Sequence, residues 1–263
     1  VNPISSDLDV MRPSILPNLL QAAGRNADRG FGDVALFELG PEYHDDTPDG
    51  QRTVAAGVRT GRANIRHWGA EQRGVDTFDA KADALAVLEA CGAPVDNLQT
   101  TTDAPGWFHP GRSGVLRLGK NVLAHFGEVH PRILKALELR APVVAFEVFP
   151  HNVPEPRKSS AAKPMLKLSP FQPVERDFAF VVDAEVPAEK LLRAAKGADK
   201  ELISEVQIFD VYEGSHVGEG KKSLAIAVTL QPAERTLTDE EIDAVGQKIV
   251  KQVEKATGGT LRG

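Results

Sequence analysis

Cysteine is almost absent from this sequence, since Cys91 is the only one among 263 residues. A single cysteine excludes an intramolecular disulfide and any metal site built from several thiolates, and it is typical of proteins from a reducing compartment. No apolar run approaches the roughly 18 residues that a membrane-spanning helix needs, and no signal peptide is recognisable. We therefore expect a cytoplasmic protein with no membrane partner.

Positive charge is also scarce. The chain has 31 Lys and Arg against 37 Asp and Glu, a net charge of -6, so a globally basic nucleic-acid-binding surface is excluded. A nucleic-acid partner would need a local patch or a larger complex. The 41% hydrophobic and 26% charged residues are typical of a globular protein with one large or two smaller domains. Because the chain begins with Val1 rather than Met, we expect a piece of a longer protein.

The familiar nucleotide and hydrolase motifs are missing. No Walker loop or G-x-G-x-x-G is present, and "GRSG" lacks the G-x-S-x-G spacing. The segment 109–114, "HPGRSG", could cradle an anion through backbone N–H groups, but we favour a hairpin that needs positive φ. His44 beside Asp45 and Asp46 hints at a metal, although a solvated surface group is far more common in such a loop.

Prolines divide the chain. The segment 150–170 contains five prolines and no apolar periodicity. Each proline removes a backbone donor and biases the preceding residue toward extended geometry, which indicates a linker. We therefore predict a first domain at 1–155, a linker at 156–169 and a second domain at 170–263.

The second domain has the clearer pattern. Apolar residues alternate along 221–231, as in a half-buried strand, and Thr238 followed by Glu241 forms a capping box at a helix start. The predicted elements are strand 175–183, helix 187–199, strands 202–214 and 221–231, a helix after Thr238 and a short strand at the end. This β-α-β-β-α-β order is typical of ferredoxin-like folds, in which both helices cover one sheet face.

The first domain is less regular. Strands joined by hairpins, with helices between them, indicate an antiparallel α+β sheet. The predicted elements are helices 13–28, 77–92 and 131–139, strands 33–40, 52–61 and 142–150, and a hairpin at 114–130.

One strand of the second domain, "IFDVYEG", carries unusual polar residues. Asp210 and Tyr212 should share a face because alternate strand residues do, and this is the open face if Phe209 and Val211 point inward. On residue types alone, an ordinary polar sheet face is the more common explanation. The alternative is a platform on which an unpaired base stacks, with Ser223 of the next strand close by.

Several separated segments, in one order, resemble the bacterial phenylalanyl-tRNA synthetase β subunit. They span nearly the whole chain: "NPISSDLDVMRPSILPNLL", "DVALFELG", "FHPGRSG", "HFGEVHP", "FQPVERDFAFVVD", and "IFDVYEG" through "GKKSLAIAVTLQ". The resemblance is to the C-terminal part of that subunit. It implies a class II synthetase-like, catalytically degenerate module followed by a ferredoxin-like βαββαβ anticodon-binding domain.

The resemblance also implies that the first module lacks catalytic residues. His44 stands where class II enzymes carry an ATP-binding Arg, and a neutral His does not replace a bidentate guanidinium. Glu147 and Phe149 stand where the third motif would have glycine. We expect this segment alone to be inactive and to hold no cofactor or metal, while the full α–β complex uses ATP and Mg²⁺ to ligate phenylalanine to tRNA(Phe).

By the same resemblance, Asp210, Tyr212 and Ser223 match the residues that contact the first anticodon base, and Arg262 is a further anticodon contact. The implied partners are tRNA(Phe) and the α subunit, in an (αβ)₂ heterotetramer.

Two rival functions remain open. One is a ferredoxin-like small-molecule sensor attached to a degenerate enzyme module, which we would expect to bind its ligand with a Gly-rich loop rather than an exposed Tyr/Asp face. An autonomous ligase would need the arginines that are missing.

Overall fold

The computed structural model describes residues 9–140, 142–155 and 168–262. Contacts between Cα atoms divide the chain into two compact units, Val1–Ser159 and Ser160–Gly263. Most of the predicted linker, 156–169, lies outside the described residues, so its limits remain a prediction.

The first unit is built on a six-stranded antiparallel sheet in the order β1-β2-β6-β5-β4-β3. This confirms the predicted antiparallel α+β architecture. The elements are α1 (Leu16–Asp28), β1 (Val34–Tyr43), β2 (Gln51–Thr60), α2 (Thr77–Ala90), β3 (Gln99–Thr101), β4 (Phe108–Leu118), β5 (Asn121–Val129), α3 (Pro131–Ala136) and β6 (Val143–Val148).

Helices cover both faces of this sheet. α1 and α3 pack on one face around the fully buried Ile15 and Phe108, and α2 packs on the other against Leu116 and Leu123. A capping box fixes the start of α2, because the Asp76 carboxylate accepts hydrogen bonds from the backbone N–H groups of Phe78 and Asp79. Each helix therefore buries an apolar stripe against the sheet, and this packing supplies most of the stability of the helix.

The segment 109–114 differs from the prediction. It is a bulged part of β4, where pairing with β5 shifts after Phe108 and resumes at Ser113. Its glycines do not have positive φ, so the hairpin prediction was wrong. Gly114 is required for space instead, since a Cβ there would lie 2.7 Å from the Phe126 ring. Extra residues in one antiparallel strand produce such a bulge rather than a reversal of the chain.

The second unit has the predicted βαββαβ order and a four-stranded antiparallel sheet in the order β10-β7-β9-β8. Its elements are β7 (Val174–Asp183), α4 (Ala188–Lys196), β8 (Ile203–Tyr212), β9 (Lys221–Leu230), α5 (Asp239–Thr257) and β10 (Thr260–Leu261).

Both helices of the second unit pack on one sheet face. The predicted capping box is present at the start of α5, where the Thr238 hydroxyl accepts from the Glu241 N–H and the Glu241 carboxylate accepts from the Thr238 N–H. Gly258, at φ 73°, ends that helix in the left-handed conformation. The core between sheet and helices contains alternate residues of β9: Leu224, Ile226, Val228 and Leu230. The intervening residues of β9 therefore face away from the helices.

Candidate nucleic-acid interface

The register of β8 and β9 brings three of the predicted site residues onto the sheet face opposite the helices. Tyr212 pairs with Ser223, and Asp210 pairs with Ala225. Directly opposed residues of an antiparallel pair point to the same face. Because Leu224, between the two β9 residues, points into the core, Tyr212, Ser223 and Asp210 lie on the other face.

Phe209 interrupts the strict alternation of β8. The register shifts between Ile208 and Asp210, which makes Phe209 the extra residue of a β-bulge, and it is 59% exposed. Val211 pairs with the buried Leu224 yet is 54% exposed, so the helices do not cover this end of the edge strand. Asp210 and Tyr212 thus share a face.

The pairing continues across β7 and β10 in two adjacent cross-strand rows. Arg262 joins them because its backbone N–H donates to the carbonyl oxygen of Ala179 at 2.7 Å, which extends the β10–β7 register by one residue. The rows are Tyr212–Ser223–Val181–Thr260 and Asp210–Ala225–Ala179–Arg262. The four predicted site residues therefore occupy two neighbouring rows of one face.

Small side chains form the middle of the second row. Ala225 and Ala179 leave a shallow, flat floor between Asp210 on one edge and Arg262 near the other. Strands lie about 4.8 Å apart, so these two charged residues are about 14 Å from each other. A flat ring on this floor is narrower than the gap between the two charged residues, so it meets Asp210 or Arg262 rather than both.

Tyr212 is half-buried by the loop that follows it. A Cβ on Gly214 would lie 2.5 Å from the Tyr212 hydroxyl oxygen, so the ring lies against the Gly214 backbone. The His216 ring is nearly parallel to the Tyr212 ring, with centroids 6.3 Å apart and planes at 23°. Ser223, across the strand pair, is only 4% exposed. The phenol is therefore more accessible than Ser223, its partner across the strand pair.

Charge is uneven along this face. Near the Tyr212 end the exposed bases Lys221 and Arg262 are balanced by the exposed acids Asp183, which pairs with Lys221, and Asp210. At the far end Glu175 and Glu205 both pair with Thr229 and are exposed. A phosphate backbone is therefore repelled most strongly from the far end.

Two other predicted features have ordinary structural roles. The Asp45 carboxylate accepts hydrogen bonds from the hydroxyl and the N–H of Thr47 at 2.6 and 2.8 Å, which hold the pKa of Asp45 below its usual value. Arg112 of the 109–114 segment forms an ion pair with Glu128. Within the described ranges no three His, Cys, Asp or Glu side chains are grouped as metal ligands, and no helix is long and apolar enough to cross a membrane.

Sequence reasoning missed a pair of buried glutamates in the first unit. Glu42 and Glu147 are each 2% exposed. The Glu147 carboxylate accepts from the Ser14 hydroxyl at 2.8 Å and from the Trp107 indole N–H at 3.1 Å, and Glu42 accepts from the Ile15 N–H at 2.9 Å. Burial, reinforced by the charge of Glu147, raises the pKa of Glu42 to about 7.

Only one weak signal could have revealed this pair. Glu147 interrupts the otherwise apolar run of β6, whose residues are all buried. His125 lies beside it, with Nδ1 3.8 Å from the carboxylate and its ring 5.0 Å from the Phe149 ring. Buried acids require hydrogen-bond partners, and here the partners come from distant parts of the chain, which the sequence alone does not reveal.

Comparison with known proteins adds the family. Residues 1–149 match the family described as "Phenylalanyl tRNA synthetase beta chain CLM domain", and residues 169–262 match "Ferredoxin-fold anticodon binding domain". The chain belongs to the phenylalanyl-tRNA synthetase β-chain family. The second match covers the unit that carries the two cross-strand rows.

Curated relatives from this family are similar over the whole chain. The phenylalanine–tRNA ligase β subunit of Paramagnetospirillum magneticum is 58% identical over 263 residues, which is 100% of this chain and 33% of that protein. The subunit of Rhodospirillum rubrum is 57% identical over 262 residues, 99% of this chain and 33% of that protein. This chain therefore spans about a third of the length of these β subunits.

A solved structure is more distantly similar. The crystal structure of pyrrolysyl-tRNA synthetase from Desulfitobacterium hafniense aligns with a TM-score of 0.39 at 16% identity, over 54% of this chain and 48% of that one. That score is too low to support a structural argument.

Proposed function

We propose that the second domain of this chain binds the anticodon of tRNA(Phe) as part of a phenylalanyl-tRNA synthetase. The contact residues would be Asp210, Tyr212, Ser223 and Arg262. The observation that carries this proposal is their placement in two adjacent rows of one sheet face, opposite the helices. A sheet face with an aromatic ring and polar neighbours is a common way to hold an unpaired base.

Each residue has a distinct chemical role in this proposal. The Tyr212 ring stacks on the first anticodon base, and the Asp210 carboxylate accepts hydrogen bonds from that base's edge. The Ser223 hydroxyl is nearly buried, so it contacts the base only at the margin of the Tyr212 ring. The Arg262 guanidinium donates to an anticodon base edge or a backbone phosphate from the far side of the flat floor.

Electrostatics limit how strongly this domain binds RNA by itself. The chain has a net charge of -6, and Glu175 and Glu205 line part of the same face. Few phosphates can be neutralised here, and each neutralised phosphate adds affinity by releasing counterions. The domain therefore reads a few bases, and most of the affinity for tRNA comes from the rest of a larger complex.

For the first domain we propose a class II synthetase-like module without catalytic function. Two buried carboxylates, Glu42 and Glu147, occupy one face of its sheet. The Glu147 carboxylate there would repel the phosphates of ATP. The residues present thus do not fit ATP, and no catalytic step is assigned to this chain.

The edge strand β1 of the first domain carries exposed apolar side chains that suit contact with a protein partner. Phe37 and Leu39 alternate along β1, so they share a face, and they are 79% and 64% exposed. Large exposed apolar side chains on an edge strand are typical of an interface. We propose that this surface contacts the catalytic α subunit.

The proposed complete enzyme is an (αβ)₂ heterotetramer in the cytoplasm. Its α subunit would use ATP and Mg²⁺ to join phenylalanine to tRNA(Phe), and this segment alone would be inactive. We place the boundary between the two proposed domains of this chain in the segment 156–169.

A binding titration tests the proposed function. The whole chain is titrated with the anticodon stem-loop of tRNA(Phe), with the same stem carrying a scrambled loop, and with free phenylalanine. Preferential binding of the tRNA(Phe) stem-loop supports the proposal. Equal binding of both stem-loops, or binding of phenylalanine alone, would favour non-specific RNA affinity or a small-molecule sensor.

A further inference from the structure

The Tyr212 ring has an aromatic neighbour that the proposed function does not use. His216 is exposed in the loop between β8 and β9, and its ring lies 6.3 Å from the Tyr212 ring at an interplanar angle of 23°. We call the space between these two nearly parallel rings the slot. The contacts of the loop determine how firmly His216 is held beside Tyr212.

Neighbouring residues fix the loop on both sides of His216. Val217, the next residue, is 7% exposed and anchors the loop in the domain, and its N–H donates to the Gly214 carbonyl oxygen at 3.2 Å. Gly214 leaves room for the Tyr212 ring, because a side chain there would collide with the phenol. His216 therefore stands on a short turn whose two ends are tied down.

The loop also ends in a defined way. Gly220 has φ 72°, a conformation that L side chains rarely adopt, and its carbonyl oxygen accepts from the Ala184 N–H at 2.8 Å. The Lys222 ammonium donates to the Ala184 carbonyl oxygen at 2.7 Å. These contacts tie the end of the loop to the turn after β7, so the position of His216 is set by the fold.

We propose that His216 is a second stacking residue of the anticodon site, and that one unpaired base binds between the Tyr212 and His216 rings. This inference rests on the proposed function. A base in van der Waals contact with both rings needs planes about 7 Å apart, twice the carbon–carbon contact of about 3.5 Å. The ring centroids are 6.3 Å apart, so the planes are no farther apart than that, and the exposed His216 side chain swings outward to admit the base.

The chemistry of the two walls suits an unpaired base. Histidine, like tyrosine, offers a flat face for stacking, and its ring nitrogens can also bond to a base edge or a phosphate. Lys221, which follows the loop on the same sheet face, is exposed and supplies a positive charge for the adjoining phosphate. A base held from both sides is oriented more strictly than one on a single ring, so His216 would act in positioning as well as affinity.

The test compares three variants of the whole chain. His216→Ala removes the second ring, His216→Phe retains a flat ring, and Ser215→Ala is a control from the same exposed turn. The probe is the anticodon stem-loop of tRNA(Phe) with 2-aminopurine at the first anticodon position, whose fluorescence is quenched by stacking. Thermal unfolding of each variant checks the fold.

We expect His216→Ala to weaken stem-loop binding about fivefold to tenfold and to reduce the quenching at saturation. His216→Phe and Ser215→Ala should bind within about twofold of wild type, because each keeps two stacking rings.

Two results would overturn the proposal that a base binds between the Tyr212 and His216 rings, but would leave the proposed anticodon function intact. One is a His216→Ala variant that matches wild type in affinity and quenching while Tyr212→Ala loses binding. The other is an equal loss in His216→Ala and His216→Phe, which would exclude ring stacking. If wild type fails to bind the stem-loop, or if Tyr212→Ala has no effect, both the slot and the anticodon function are wrong.

Discussion

Asp210 and Arg262 lie at opposite ends of one cross-strand row, with only Ala225 and Ala179 between them. Three strand spacings separate their backbones by about 14 Å. A ligand on this face therefore meets a separated acceptor and donor across a flat floor.

Asp210→Asn should weaken binding of the tRNA(Phe) anticodon stem-loop about tenfold. The change keeps the shape of the side chain and removes the charge that strengthens hydrogen bonds from a base edge. The measurement is a titration of the whole chain at fixed salt. Asp177→Asn is the matched control, since Asp177 pairs with Ala227 on the same face, farther from Tyr212. Equal affinities of the two variants would argue against a base contact by Asp210.

Glu205→Lys should strengthen stem-loop binding and make it more dependent on salt. Glu205 is exposed on the same face as Tyr212, where a carboxylate repels the phosphate backbone. We expect the slope of log affinity against log salt concentration to steepen by about one. Glu201→Lys, an exposed change before β8, is the control. An unchanged slope for Glu205→Lys would show that RNA does not approach this part of the sheet.

Glu42→Gln should remove part of the pH dependence of stability in the first unit. Burial raises the pKa of Glu42 from 4.5 to about 7, so the folded state binds this proton more tightly than the unfolded state. The stability from Glu42 is present below about pH 4.5 and is lost as pH rises toward 7. The loss at pH 8 should be about 1–3 kcal/mol.

This contribution is measured by denaturant unfolding of wild type and Glu42→Gln. The two conditions are about pH 5.5 and about pH 8, on either side of the raised pKa of Glu42. The variant should lose less stability than wild type between the two conditions. Parallel losses in the two proteins would mean that Glu42 does not hold its proton near neutral pH. Glu38→Gln, which changes a more exposed acid on the same strand, is the control.

Much of the second unit could be predicted from local pattern. The alternation in β9 and the capping box at Thr238 and Glu241 act within a few residues, so the sequence shows them directly. The shared face of Asp210 and Tyr212 follows from the same periodicity. The bulge at Phe209 could not be predicted, because it is defined by pairing with β9 rather than by β8 itself.

Long-range contacts account for the other differences. Glu42 and Glu147 come from strands far apart in the chain, and the two donors to Glu147, Ser14 and Trp107, come from two further segments. No local pattern indicates that these four side chains are close together. The place of His216 beside Tyr212 also depends on the buried Val217, whose role is visible only once the loop is folded.

The most direct test of the account is aminoacylation by the complete α–β enzyme carrying Tyr212→Ala. The account predicts that kcat/KM for tRNA(Phe) falls about fivefold to a hundredfold, from the loss of about 1–3 kcal/mol of stacking. Phenylalanine-dependent pyrophosphate exchange should stay at the wild-type rate. Phe209→Ala, which removes an exposed ring from the same strand outside the two rows, should behave like wild type. An unchanged kcat/KM for tRNA(Phe) in Tyr212→Ala would contradict the proposal that this sheet face reads the anticodon.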